Sequence, residues 1–258
     1  MNYNYHTHTY RCHHAEGTPE EYVLRAIECG IKHMGFSEHI PFEIPGVEQS
    51  RFRMYIDDAE DYIKEISALR DKYADKIDIK IGFEVEYYHD HFDKMRSFAK
   101  GVGAEYMILG QHFDMPEHLA GASYVVAPSD SYERLKRHTD CIVEGIKSQA
   151  FTYVCHPDIF NFVGDDGIYV KEIRRICEAS LEFDTPLEIN LLGIRKSKTY
   201  PRELFWRTVG EVGSPVVFGC DAHTARDAYD DKSLVTARSL VEKYHLNYIG
   251  KPKIRPIL

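Results

Sequence analysis

The chain contains no C-x-x-C pair. Its six cysteines (Cys12, Cys29, Cys141, Cys155, Cys177, Cys220) are scattered, which excludes a zinc knuckle and offers no disulfide framework. Free thiols in a reducing compartment are the expected state. Long apolar runs are missing too, and Met1 leads into polar strand residues rather than a basic and then apolar leader. A soluble, cytoplasmic protein with no membrane partner is therefore expected. Basic residues are in deficit, 32 Lys and Arg against 41 Asp and Glu, for a net charge of −9. That balance supplies no basic face for nucleic acid or an anionic membrane. It leaves a small anionic substrate open, because bound cations reverse the local field. Also absent are G-x-x-x-x-G-K-[ST], G-x-S-x-G and H-E-x-x-H, and "GVGAEY" at 101–106 follows a helical stretch and lacks a third glycine. Nucleotide cradles and serine elbows are set aside on that ground. Cys155, beside His156, reads as a small buried thiol rather than a nucleophile.

What is present is a regular alternation. With 258 residues, 43% of them hydrophobic, the chain can bury a full core, and no linker or repeat divides it, so 1–258 reads as one domain. "TPEEYVLRAIECG" has Thr18 as N-cap, Pro19 at the first helical position, Glu21 completing a capping box and Gly30 as the stop. Further helices are expected in 57–75, 90–101, 130–149, 168–183, 201–213 and 227–244. Between them lie candidate strands at 2–6, 33–37, 79–85, 106–110, 152–155, 186–190, 215–220 and 247–249. Alternating strand and helix argues for parallel strands with crossover helices, a (β/α) barrel.

The functional signal lies where the strands end. "YHTHTY" at 5–10 puts His6 and His8 on one face of the first strand. "SEH" then brings His39, "FEVE" Glu84, "GQH" His112, "CHPD" His156, "EIN" Glu188 and Asn190, and "GCDAH" Asp221 and His223. In a barrel of parallel strands these C-terminal ends meet at one mouth. Any one of them could be an ordinary polar strand end, but the series is poorly explained that way. With His14 there are nine candidate ligands, His6, His8, His14, His39, Glu84, His112, His156, Asp221 and His223. Imidazoles and carboxylates suit zinc, manganese or iron, and one transition ion takes roughly four to six ligands. Two or more ions are thus implied, with Glu84 the natural bridge. Ions sharing a hydroxide can activate a nucleophile and clamp the oxygens of a phosphoryl group. His33, His89, His91, His118, His138 and His245 stand in helical or loop contexts and read as solvated or structural.

"HTHTYRCHH", "GFSEH", "GFEVEYY", "GQHF", "CHPD", "EINLLGIRKS" and "GCDAH" together resemble the successive motifs of the polymerase-and-histidinol-phosphatase (PHP) superfamily, and within it the histidinol-phosphate phosphatases. The resemblance spans nearly the whole chain. It implies a distorted (β/α)7 TIM-like barrel, three divalent transition-metal ions and a small phosphorylated metabolite as substrate, with the oligomeric state left open. Carried over by position, His6, His8, Glu84 and Asp221 would hold one ion, Glu84, His112 and His156 a second, and His14, His39 and His223 a third. His14 rather than the adjacent His13 fits the family's spacing. Glu84, Asp221 and His223 would carry catalysis. Arg195, in "GIRKS", matches a phosphate-contacting arginine, and Asn190 and Asn161 complete the substrate-side candidates. Asn161 departs from the pattern, since an arginine is usual there, and "DMPEHLAGASY" after "GQHF" is unlike the family's usual loop. Other phosphatase substrates, phosphotyrosine among them, a phosphodiesterase, and an inactive metal-binding regulatory module are the competing readings.

Overall fold

A computed structural model describes residues 1–43, 48–196 and 199–258; Ser197, within the "EINLLGIRKS" stretch, lies outside them. Four parallel strands run in the order β1 (Tyr3–Asn4), β2 (His33–His39), β3 (Asp78–Val85) and β4 (Tyr106–Leu109), and three more in the order β5 (Leu187–Asn190), β6 (Pro215–Gly219) and β7 (Asn247–Tyr248). Val154 joins the two sets, bridging to Leu109 on one side and Leu187 on the other. The expected strand at 152–155 has thus shrunk to one bridging residue. The ring closes between β1 and β6 through Thr7 and Ala222. There His8 N donates to Ala222 O at 3.0 Å and Ala222 N to His6 O at 3.2 Å.

Below that closure side chains replace the backbone ladder. Phe218 N donates to the Tyr3 hydroxyl and Cys220 N to Asn4 Oδ1, both at 3.0 Å. β7, meanwhile, pairs with the start of β6. The barrel is therefore closed but distorted, with seven staves among the described residues if Val154 is counted as one.

Alternation sorts the two faces of the staves. Met34 and Phe36, then Ile79, Ile81, Phe83 and Val85, then Met107 and Leu109, join the core shared with the helices. Tyr3, Tyr5, Tyr106, Ile108, Tyr153, Cys155 and Val217 form a separate cluster in the lumen. Tyr106 spans that lumen and donates its hydroxyl to Tyr5 O at 2.8 Å. It fits because Gly35 and Gly82 stand on the facing strands, where any β-carbon would strike its ring.

The crossover helices are α1 (Pro19–Glu28), α2 (Ala59–Lys72), α3 (Phe92–Gly101), α4 (Tyr132–Lys147), α5 (Asp166–Glu182), α7 (Glu203–Val212) and α8 (Asp231–Lys243), with a short α6 (Leu191–Arg195) directly after β5. The Thr18 capping box on α1 is formed in full, Thr18 accepting from Glu21 N and Glu21 accepting from Thr18 N. Thr18→Ala is expected to cost about 1 kcal/mol, read as a lowered denaturant midpoint at unchanged slope, with activity untouched. α6 has no counterpart among the expected elements. Asn190 starts it by accepting from Gly193 N at 3.0 Å, a cap hidden inside a stretch that reads as strand. No helix among the described residues is long and apolar enough to cross a membrane.

Candidate metal centre

The staves deliver nine side chains to one mouth. Strand alternation turns His6 and His8 the same way, ring centroids 5.3 Å apart, while Thr7 between them is buried and held by Asn4. His6 Nε2 lies 3.5 Å from Glu84 Oε2 and 3.6 Å from Asp221 Oδ1. His8 Nε2 is 3.4 Å from both. His39 Nδ1 approaches Glu84 Oε2 at 3.1 Å, and His112 and His156 approach its other oxygen at 3.4 and 2.8 Å. Glu84 thus touches five imidazoles. Gly110 on the next stave makes room for it, since a β-carbon there would collide with the carboxylate.

On the open side His223 Nδ1 lies 3.3 Å from Asp221 Oδ1, and its Nε2 faces His14 Nε2 at 3.1 Å. His13, in contrast, turns away at φ 64° and packs on Tyr55.

Three carboxylates stand behind the imidazoles. Glu188 Oε1 is 2.9 Å from His6 Nδ1, Glu38 Oε1 3.3 Å from His8 Nδ1 and Glu86 Oε1 2.9 Å from His112 Nδ1. Each fixes a tautomer whose Nε2 lone pair looks into the centre, an arrangement typical of metal-bound histidine. The sequence reading took Glu188 only as one more strand end and missed Glu38 and Glu86. Both had a signal: Glu86 stands two residues after Glu84 and Glu38 beside His39, with carboxylate and imidazole alternating at a strand end. Cys155 adds a thiol in the lumen floor that donates to Glu84 Oε1 at 3.1 Å.

The donor set fits transition ions. His6 Nε2, His8 Nε2, His39 Nδ1, Glu84 Oε2 and His156 Nδ1 are buried with no hydrogen-bond partner, and unpaired buried polar atoms cost roughly 1–3 kcal/mol each. His14 donates Nδ1–H to Cys12 O and His223 donates Nδ1–H toward Asp221. Two lone pairs are then left face to face at 3.1 Å, which a cation relieves. Groups of donor atoms within 4.8 Å of one another include His6, His8 and Asp221, then His6, Glu84, Cys155 and His156, then His8, His39 and His223.

Without ions the cluster is electrostatically divided. Burial opposes charge on His6 and His8, yet Glu188, Asp221 and Glu84 hold His6 well above the usual imidazole range, and Asp221 and Glu38 carry His8 up to about 9. Burial and the rings of His223 and His8 push His14 down to about 4. Glu84 and Asp221, ringed by imidazoles that outweigh their burial, lie well below the usual carboxylate range.

The centre floors a cavity of about 790 Å³ whose walls include Phe52, Phe113, Tyr124 and Tyr200, with Glu16, Asp227 and Lys196 among its charged groups. Two backbone positions at its floor are unusual. His156 and Asp221 have φ of 32° and 48°, a region costing of order 1–3 kcal/mol for such residues unless the surroundings enforce it.

The substrate-side candidates are placed differently from expectation. Arg195 does not line this cavity. Its Nη2 donates to Cys220 O and Asp221 O at 2.9 and 3.0 Å, and Nε and Nη1 face Asp227 and Asp230, each at 3.4 Å. The helical turn of α6 aims its side chain behind the Asp221 turn, and the acids of the following loop hold it there. Asn161 is likewise outside, donating to Val126 O at 3.1 Å. Asn190 does not line the cavity either: it is buried beside the centre, donating to Glu188 Oε2 at 2.8 Å and Asp221 Oδ2 at 3.1 Å.

Residues 4–191 match the family described as PHP domain. The chain is 28% identical over 236 residues to a probable histidinol-phosphatase of Deinococcus radiodurans, covering 84% of this chain and 85% of that one. It is 24% identical over 250 residues to the histidinol-phosphatase of Lactococcus lactis, covering 93% and 90%. A solved histidinol phosphate phosphatase from Lactococcus lactis, complexed with zinc, L-histidinol and phosphate, superposes with a TM-score of 0.72 at 21% identity over 96% of this chain and 95% of that one. The putative histidinol phosphatase of Listeria monocytogenes gives 0.70 at 23% identity, covering 90% and 99%.

Proposed function

The chain belongs to the PHP domain family, and from that premise we propose that it is a metal-dependent phosphomonoesterase acting on L-histidinol phosphate. The observation that carries the reading is the convergence of seven imidazoles with Glu84 and Asp221, five of their atoms buried and unpaired. The relatives' names support the substrate. His6, His8, Glu84 and Asp221 would hold one ion, Glu84, His112 and His156 a second, and His14, His39 and His223 a third. Zinc, manganese and iron all suit these donors. When bound, such ions supply an activated water and positive charge to the phosphoryl oxygens.

The remaining work falls to the protein. Glu188, Glu38 and Glu86 hold the imidazole tautomers. The cavity lining carries the carboxylates of Glu16, Glu84, Asp221 and Asp227, so a phosphate dianion is admitted only with cations in place. Phe52, Phe113 and Tyr200 offer flat apolar walls to the organic part of the substrate. Burial, with Asp221 and Glu84 nearby, pushes the Tyr124 hydroxyl up to about 12, so it stays a neutral donor on that wall. Asp221 Oδ1 and His223 Nδ1, 3.3 Å apart, form a line on which a proton can be held for the leaving alcohol. All six cysteines are free thiols, which supports a cytoplasmic setting.

The test is metal analysis of the purified protein, followed by phosphate release from histidinol phosphate, other small phosphomonoesters, phosphotyrosine and a phosphodiester. Stripping with a chelator should abolish turnover, and re-adding metal should restore it. Faster cleavage of the diester would overturn the phosphomonoesterase reading. Turnover of another monoester with none of histidinol phosphate would remove the substrate assignment alone.

A further inference from the structure

Arg53 is the most deeply buried arginine among the described residues, at 1% exposure, and it belongs to no motif that suggests the function. Its guanidinium is spent in three directions. Nη1 reaches Glu86 Oε2 at 2.7 Å, Nε and Nη2 grip both oxygens of Glu117 at 2.8 and 3.2 Å, and Nη1 also donates to Ile40 O at 3.3 Å, just beyond His39.

Each direction leads to a different part of the site. Glu86 turns its other oxygen to His112 Nδ1 at 2.9 Å. Glu117 belongs to "DMPEHLAGASY", the excursion between His112 and Tyr124 that departs from the family's usual loop. The neighbouring Phe52 stacks on Phe113 at 5.6 Å between centroids and meets His39 edge-on at 6.1 Å. Phe52 and Phe113 are cavity wall.

We infer that Arg53 is a positioning residue that locks the aromatic wall of the substrate cavity to the His112 side of the metal centre, through Glu117 on one side and Glu86 on the other. The inference rests on the reading above that His112 holds a metal. A planar, permanently charged fork suits this task, because it can bind one carboxylate with two donors while a third donor holds another. A lysine in its place keeps the charge but offers one point of contact.

The two arms make separable predictions for the full-length protein, read as metal stoichiometry and affinity, as kcat and KM for p-nitrophenyl phosphate, and as melting temperature. Glu117→Gln frees the wall and spares the centre, so KM should rise roughly tenfold with metal content intact. Arg53→Met removes both arms, so the most weakly held metal should bind roughly 10–100-fold more weakly and KM should rise as well. Arg53→Lys should recover metal affinity through Glu86 while KM stays raised.

Arg53→Met with wild-type metal affinity and KM, and only a lowered melting temperature, would overturn the inference. An unchanged KM in Glu117→Gln would do so even if the methionine variant fails to fold. Wild-type protein that binds no metal would sink the reading of the centre and this inference together, whereas metal-loaded wild type with unresponsive variants sinks the inference alone.

Discussion

Glu84→Gln should leave a folded protein that has lost its metal and nearly all turnover together. Glu84 is 1% exposed, touches five imidazoles and, in the assignment proposed above, would serve two of the ion sites. The amide keeps the shape but removes one negative charge from both sites at once, and its NH2 presents hydrogens where the carboxylate presents a lone pair, so that end can no longer ligate a cation. A terminal ligand such as His14, at the exposed edge, affects one site only. The expected loss for Glu84→Gln is on the order of 10³-fold in kcat, about 4 kcal/mol of transition-state stabilisation, against a smaller loss for His14→Ala. Metal content by mass spectrometry and single-turnover phosphate release decide it. Near-normal metal with substantial activity would contradict a bridging Glu84.

Much of this centre was legible because β-strands alternate. His-x-His just after β1, Glu84 on β3 and the imidazoles at the ends of the other staves announce themselves once the strands are placed, and parallel topology brings them to one mouth. What sequence conveys poorly is what stands behind each ligand. Glu188, Glu38 and Glu86 come from three different strand ends, and which of them backs which imidazole depends on barrel register and not on spacing. The stave at Val154 was overestimated for a related reason. Its apolar run is buried, but only one residue pairs on both sides, because the chain turns at once into His156 with φ 32°. α6 escaped notice because Leu191–Arg195 is too short to show a helical period after the strand expected at 186–190; only the Asn190 cap, which needs a three-dimensional turn, marks it. Arg53 had no pattern at all, since its partners Glu86 and Glu117 lie 33 and 64 residues downstream.

Arg195→Ala carries the second large effect, and its readout separates two roles for that residue. A phosphate-contacting arginine would raise KM on removal and leave metal content alone. The geometry gives another result. Arg195 Nη2 holds the carbonyls of Cys220 and Asp221, the two peptide units that place the Asp221 carboxylate in its left-handed turn. Removing the guanidinium leaves those carbonyls without their donor, at roughly 1–3 kcal/mol for each that stays buried, and leaves Asp227 and Asp230 facing each other with no cation between them. The Asp221 turn then relaxes away from a φ that few aspartates adopt unaided. Metal held through Asp221 should weaken roughly 10–100-fold, as expected when an outer support of a ligand is lost. kcat/KM should fall with it, by about 2–3 kcal/mol at limiting metal, and excess metal should restore much of kcat. Arg195→Lys should recover little, because a single ammonium cannot serve both carbonyls and both carboxylates. Wild-type metal affinity with a raised KM in Arg195→Ala would return the residue to the phosphate.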